Sequence, residues 1–389
     1  MRRSSRLPAD LDPTPFARLL AECRSAPDFL DLTVSNPTRC GFEFPDQEWR
    51  KALSSPEVRD YSADPQGGRA AREAIAAHHA LDAHGVLPED ILLTASTSEA
   101  YSWLFKLLCD PGDEVLVPSP SYPLFEHLAS LEGIRAVPVT TYFHERWRLD
   151  LGALESACGP RMKAIVVVNP NNPTGQFLSR DEWRGLANLC AKHDLALLVD
   201  EVFAEFALEP RDDAMRSALL DEAPPCPVFV LSGLSKVALL PQVKLGWMLL
   251  RGAAKNYLDQ LTFLADQYLS VSASAQAAAP SALRLAPAWR AQVRDRAQEN
   301  LRCLDDQLKA FPHLSRLPVE GGWSVLLRRP ALDGDEICAM RLLEETLVLV
   351  HPGHYFDLPL EGFLVLSLLT PPGEFHKGLA RILPRLPLD

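Results

Sequence analysis

The sequence predicts an α/β protein: a doubly wound, mostly parallel sheet in a large domain, followed by a smaller α+β domain. Three observations carry this. Short, nearly continuous apolar runs such as "AIVVV" (164–168) and "LALLV" (195–199) read as strands covered on both faces. Helical patterns alternate with them, which is the rhythm of βαβ units. Past residue 280 the texture changes to one long helical pattern and then to separated strand-like pieces.

Taken in chain order, "RAAREAIAAHHA" (69–80) is the first strong helical pattern, and "DILLTA" (90–95) the first strand of the large sheet. "SEAYSWLFKLLC" (98–109) is helical, "DEVLVP" (113–118) is a strand, and "KAIVVVNP" (163–170) is a third. Helix "RDEWRGLANLCAKH" (180–193) then leads into strands "LALLVDE" (195–201) and "VFVLSG" (228–233). The long pattern "ALRLAPAWRAQVRDRAQENLRCLDDQLKAF" (282–311) opens the second texture. It is followed by "GGWSVLLRR" (321–329), "TLVLVHPG" (346–353), "GFLVLSLL" (362–369) and a last helical pattern, "EFHKGLARIL" (374–383). The expected organisation is an N-terminal segment over 1–44 that packs on the small domain and active site, a large domain over 45–278 and a small domain over 279–389.

Bulk properties narrow the function. A chain of 389 residues with 47% hydrophobic content is long enough for one large core and a smaller one. A formal net charge of -12 argues against nucleic acid as a partner, because phosphate backbones are met by clustered Lys and Arg. The opening "MRRSSR" runs into "LPADLDPTPF" rather than an apolar stretch, and no apolar run approaches a membrane span, so a cytoplasmic protein is expected. The eight cysteines form no CxxC pair and the ten histidines no HExxH, so no metal is predicted.

Ligands of open α/β sheets collect beyond the carboxyl ends of the strands. Four of those ends carry polar residues that a plain connection does not need. In "TASTSEAY", Ser96 and Glu99 have capping-box spacing, which starts a helix at Ser96 and turns the amides of Thr97 and Ser98 outward. Such a terminus suits a phosphate, and equally an ordinary cap. "VVVNPNNPTG" ends a strand in a proline-stiffened turn that holds asparagine amides, although the same residues also simply make turns. Asp200 follows a run of aliphatic residues and is costly to bury unless paired with a positive group, either a protonated ring nitrogen or an arginine. Lys236, just past "VFVLSG", is placed to form a Schiff base with an aldehyde. Phosphate cradle, amide, carboxylate and amine together describe one ligand, pyridoxal 5'-phosphate (PLP).

In these motifs the chain resembles the class I/II aminotransferases among the fold-type I PLP enzymes, over nearly its whole length. The resemblance implies that Lys236 of "GLSK", following Ser235, carries the cofactor as a Schiff base and later moves a proton. It implies that Asp200 of "DEV" pairs with the pyridine nitrogen, that Asn172 of "NPNNPTG" bonds the phenolic oxygen, and that Ser96, Thr97 and Ser98 hold the phosphate. Tyr122 of "PSPSYPLF" is matched to the aromatic residue that stacks on the ring. Tyr61 is matched to a tyrosine that reaches the neighbour's phosphate across a homodimer interface. Lys244 of "QVKLGW" stands where the family usually has a phosphate-binding arginine; lysine supplies the charge without the bidentate fork.

Two departures from the family pattern bear on function. Phe203 replaces a tyrosine that bonds the phenolic oxygen, and Val365 stands where an arginine usually clamps the substrate carboxylate. No arginine occurs from 342 to 380. Arg39, after the "GxP"-like segment Ser35, Asn36 and Pro37, is the expected substitute, with a solvated loop charge as the plain alternative. His351 and His354 of "LVHPGHYF" are further candidates. The implied activity is transfer of an amino group from an L-amino acid to a 2-oxo acid. A carbon–sulfur β-lyase or decarboxylase on the same scaffold is the runner-up, and a PLP-binding regulatory module the non-enzymatic alternative.

Overall fold

The computed structural model describes residues 4–386 except 9, 45, 55–57, 59, 60, 62, 82 and 84. Its centre is a seven-stranded sheet: β1 (Ile91–Thr94), β2 (Glu114–Ser119), β3 (Arg135–Thr140), β4 (Met162–Val168), β5 (Ala196–Asp200), β6 (Val228–Gly233) and β7 (Gly246–Arg251). The order is β1-β7-β6-β5-β4-β2-β3, with β7 antiparallel to both neighbours and the remaining pairs parallel.

Alternation along each strand explains the two covered faces. Ile165, Leu197 and Val230 enter one apolar cluster, which includes Ile75 and Ala282. Val166, Leu198 and Leu231 enter the other, together with Tyr101, Leu104 and Leu261. The helices that supply these partners are α1 (Arg69–His79) and α4 (Ala273–Leu308) for the first face, and α2 (Thr97–Leu108) and α3 (Leu258–Asp266) for the second. Burying each such Ile or Leu contributes about 1.5–3 kcal/mol.

A four-stranded antiparallel sheet lies later in the chain: β8 (Ser315–Arg316), β9 (Ser324–Arg328), β10 (His351–Pro352) and β11 (Phe363–Ser367), in the order β8-β9-β11-β10. Val325, Leu327, Leu364 and Leu366 face a core shared with α5 (Asp335–Thr346), α6 (Pro372–Ile382) and Phe16 near the N-terminus. Leu30–Asp31 pairs in parallel with Val348–Leu349, which fixes the segment after it, Thr33 to Ser35, beside the small sheet. Residues 278 and 279 lie inside α4, one continuous helix running past Pro280 and Pro287.

Specific contacts tie the small sheet to the strand ends of the large one. Ser119 Oγ donates to the Asp357 carbonyl at 2.7 Å, and the Ser121 amide donates to the Phe356 carbonyl at 2.9 Å. The Gly321 amide donates to the Gly175 carbonyl at 2.9 Å. Gly175 has φ +68°, and a Cβ there would come within 2.7 Å of the Gly321 carbonyl oxygen, so only glycine fits. Among the described residues no helix is long and apolar enough to cross a membrane.

Candidate active site

The parallel register levels the ends of the central strands: Val168 pairs with Asp200, and Asp200 with Leu231. Above these ends is a cavity of about 460 Å³, closed by the small sheet and by Thr33 and Ser35. That volume lies in the range of small-molecule and cofactor sites.

Asp200 terminates β5 with its carboxylate turned into the cavity, 7% exposed. Its Oδ1 accepts from the Val202 amide at 3.0 Å and its Oδ2 from the Tyr101 hydroxyl at 3.2 Å. A carboxylate has about four lone-pair sites, so capacity remains for a donor inside the cavity. Burial pushes the Asp200 carboxyl up to about 6, against the Val202 and Tyr101 hydrogen bonds and Lys236, which pull it down.

Lys236 belongs to the one-turn helix Leu234–Val237 that follows β6 directly, and Ser235 beside it also lines the cavity. Its Nζ lies 4.7 Å from the ring centroid of Trp323 and 5.5 Å from that of Phe203. The two rings meet edge to face at 5.0 Å. Burial lowers the ammonium to about 8, with Asp200 opposing. Asn172 opens on the same space, and its Oδ1 accepts from Ser324 Oγ at 3.3 Å, which leaves its NH₂ free to donate.

At the other end of the cavity, Thr97 and Ser98 form the first turn of α2, with their amides among those a helix leaves unpaired. Ser96 is the N-cap, its Oγ accepting from the Glu99 amide at 3.2 Å, and it does not line the cavity; the side chain expected to hold a ligand is engaged in capping. Glu99 closes the turn onto the Ala95 amide at 2.6 Å rather than onto Ser96. Tyr122 is half exposed on the cavity wall.

Several sequence-predicted residues lie off this wall. Arg39 ends a 3-10 turn (Pro37–Arg39) with its side chain exposed, and Asn36 caps that turn through the Thr38 amide at 3.1 Å, so neither lines the cavity. Of the group Ser35, Asn36 and Arg39, Ser35 alone reaches the cavity. His354 is exposed against Tyr355, whereas His351 lines the site. Lys244 is exposed two residues before Gly246, a position where an added Cβ would meet the Ser96 backbone at 3.0 Å. Tyr61 is 85% exposed and lines a separate hollow with Trp103 and Leu269.

Sequence reasoning missed Tyr101, Trp323 and Ser324. Tyr101 was legible: it stands four residues after Thr97 in a strong helical pattern and so shares its face. Trp323 and Ser324 sit on a strand far along the chain, and no local pattern joins them to Lys236.

Residues 27–382 match the family model for aminotransferase class I and II. An alanine aminotransferase of Mycobacterium tuberculosis is 30% identical over 396 residues, covering 95% of this chain and 86% of its own length. A single mutant of Thermus thermophilus aspartate aminotransferase superposes with a TM-score of 0.84 at 26% identity, over 99% of this chain and 100% of that one. Alanine aminotransferase from Pyrococcus furiosus shares the fold with a TM-score of 0.87 at 24% identity, over 99% of both chains. The chain belongs to the class I and II aminotransferases, which use PLP and act on amino acids and 2-oxo acids.

Proposed function

We propose that this aminotransferase works through Lys236 as the covalent anchor and proton carrier, Asp200 as partner of the cofactor's ring nitrogen, and the start of α2 as the phosphate cradle. One observation carries the reading: these three features open on a single cavity, with Asp200 retaining acceptor capacity toward it. When bound, PLP supplies an aldehyde that condenses with amines and a ring system that takes up the electron pair left at the substrate Cα.

A lysine attacks only as the neutral amine, and at about 8 roughly a tenth of Lys236 is neutral at pH 7, against well under a thousandth at the ordinary value. The same amine, once released, takes a proton from the substrate Cα and returns it. Ionised Asp200 favours a protonated ring nitrogen. The Asn172 NH₂, oriented through Ser324, is a donor for the ring oxygen, a job Phe203 cannot share because it has no hydroxyl. Thr97 and Ser98 offer hydroxyls and amides to the phosphate, and Lys244 adds a counter-charge from the neighbouring turn. Tyr122 is assigned to the ring face.

The chain is also read as a cytoplasmic homodimer. Tyr61, Tyr268 and Leu269 leave an apolar surface beside Trp103, which supports self-association and a Tyr61 contact to the neighbour's cofactor. The long helix α4 is read as shared by a large and a small domain. Relatives named as alanine and glutamate-pyruvate aminotransferases make glutamate as donor and pyruvate as acceptor the first pair to assay.

Reconstitution with PLP tests the reading. The holoenzyme is expected to show an absorbance band beyond the protein's aromatic absorption, and borohydride is expected to fix the cofactor covalently to the wild type but not to Lys236→Ala, while the fold is kept. A PLP-treated protein with no such band refutes it.

A further inference from the structure

The reacting partners of this enzyme carry a carboxylate, and a carboxylate entering a closed cavity needs a donor or a cation to replace water. Among the described residues on the wall, Lys236 is the one lysine and there is no arginine. Lys236 is occupied by the chemistry, so the carboxylate has to be met by another group.

The small sheet presents its candidates in register. Ser324 pairs with Ser367, Leu326 with Val365, and Val365 with His351. Paired side chains share a face, and Ser324, Ser367, Val365 and His351 all line the cavity. Three hydroxyls on this side have already given their proton away. Ser324 donates to Asn172 Oδ1 at 3.3 Å, Ser367 to the Val34 carbonyl, and Thr33 to Asp31 Oδ1 at 2.6 Å. Ser35 is exposed at the edge of the cavity.

The ring nitrogens of His351 make no hydrogen bond with the described residues. The ring packs at a tilt against Tyr355 and Phe356, with centroids at 6.0 and 5.8 Å. These contacts pack the imidazole without consuming its polar edge.

We propose that His351 is the specificity-determining residue that receives the substrate carboxylate, donating a hydrogen bond beside Val365 and becoming charged as the anion arrives. The inference rests on the proposed assignment of Lys236 as the amine anchor. Burial holds the imidazole below its usual value and favours the neutral ring before binding, with Asp31 pulling the other way. An incoming carboxylate reverses that preference, and the pair becomes a charge-assisted hydrogen bond. Val365 gives the sheet a flat apolar neighbour there and leaves the imidazole edge as the polar feature.

The test uses two ligands on the PLP-loaded holoenzyme: 2-methylalanine, which has amine and carboxylate but no Cα hydrogen to lose, and isopropylamine, the same skeleton without the carboxylate. Dissociation constants are read from the cofactor's absorbance. In His351→Ala, binding of 2-methylalanine is expected to weaken roughly 10- to 100-fold, the size of a hydrogen bond to a charged group, while isopropylamine binding stays unchanged. His351→Gln, which keeps a donor but no charge, is expected to fall between. An unchanged preference for 2-methylalanine in both variants overturns the proposal. A wild-type protein that never develops the cofactor band refutes the Lys236 reading instead. Should His351→Ala fail to load cofactor, the glutamine variant decides alone: full carboxylate preference refutes the proposal and partial preference supports it.

Discussion

Replacing Asp200 with asparagine is expected to stabilise the cofactor-free protein while crippling cofactor binding. The Asp200 carboxyl is raised from its ordinary 3.8 to about 6, chiefly by burial. For an acid with a raised folded value, the folded state holds the proton more tightly than the unfolded chain. Folding is therefore penalised progressively as pH rises through this window, and the penalty is complete above the folded value. A rise of about two units corresponds to roughly 3 kcal/mol once the group is ionised, and to about half that at roughly pH 5, where the folded carboxyl is still mostly protonated. Asparagine is isosteric and keeps an oxygen to accept from the Val202 amide, now at 3.0 Å from Oδ1. Urea unfolding of apo-protein from both variants checks this. Asp200→Asn should gain about 1–2 kcal/mol over wild type on going from about pH 5 to about pH 8, while its PLP affinity at neutral pH falls. A stability difference that stays flat with pH, or an asparagine variant that loses ground as pH rises, refutes the reasoning that burial of this charge is an uncompensated cost in the apo-protein.

Lys244→Ala is expected to weaken PLP binding about tenfold, with the loss shrinking in high salt because the lysine is exposed and screened; equal affinity at low salt removes Lys244 from the site. Light scattering of the holoenzyme is expected to give twice the 43.0 kDa chain mass, and Tyr61→Phe to weaken PLP binding several-fold without changing that mass. A monomer that binds PLP normally refutes the reading of Tyr61 as a group reaching the neighbour's site.

How far the sequence could be read depends on where the physical cause of each feature lies. The strands "AIVVV" and "LALLV" were legible because a strand covered on both faces has to be apolar throughout, whatever surrounds it. Asp200 stood out for a related reason, since a charged residue directly after such a run faces a desolvation cost that demands a partner, whereas Lys236 stood out as an amine just past the end of "VFVLSG". Strand β7 was harder, since "GWMLLR" follows only the one-turn helix Leu234–Val237 and a 3-10 turn and runs antiparallel, breaking the βαβ rhythm. The start of α4 at Ala273 was hidden by Pro280, which locally argues against helix although the helix continues past it. Arg39 shows the limit on the functional side. Its place in the sequence, two residues after Pro37, allowed both reach into the site and a solvated loop charge, and in the structure the Asn36 cap holds the turn with Arg39 exposed. Chain proximity fixes a Cα within a few ångströms and says nothing of which side of a turn the side chain leaves.

Asp200 and Lys236 also explain why the rest of the cavity is built as it is. The two groups are opposite in charge, yet each is pushed toward neutrality, the carboxyl to about 6 and the amine to about 8. Their mutual attraction works against this in both cases and does not overcome burial, so the apo-site is held at an electrostatic disadvantage. What prevents collapse is the rigid surround: Tyr101 and the Val202 amide fix the carboxylate, and Trp323 with Phe203 gives the ammonium aromatic faces instead of water. A cofactor that accepts a bond from the amine and presents a cationic ring nitrogen to the carboxylate relieves both costs together. On the proposed roles, Asp200→Asn removes both the buried charge and the partner of a protonated ring nitrogen, which is why the variant expected to be more stable without cofactor is also the one expected to hold it worst.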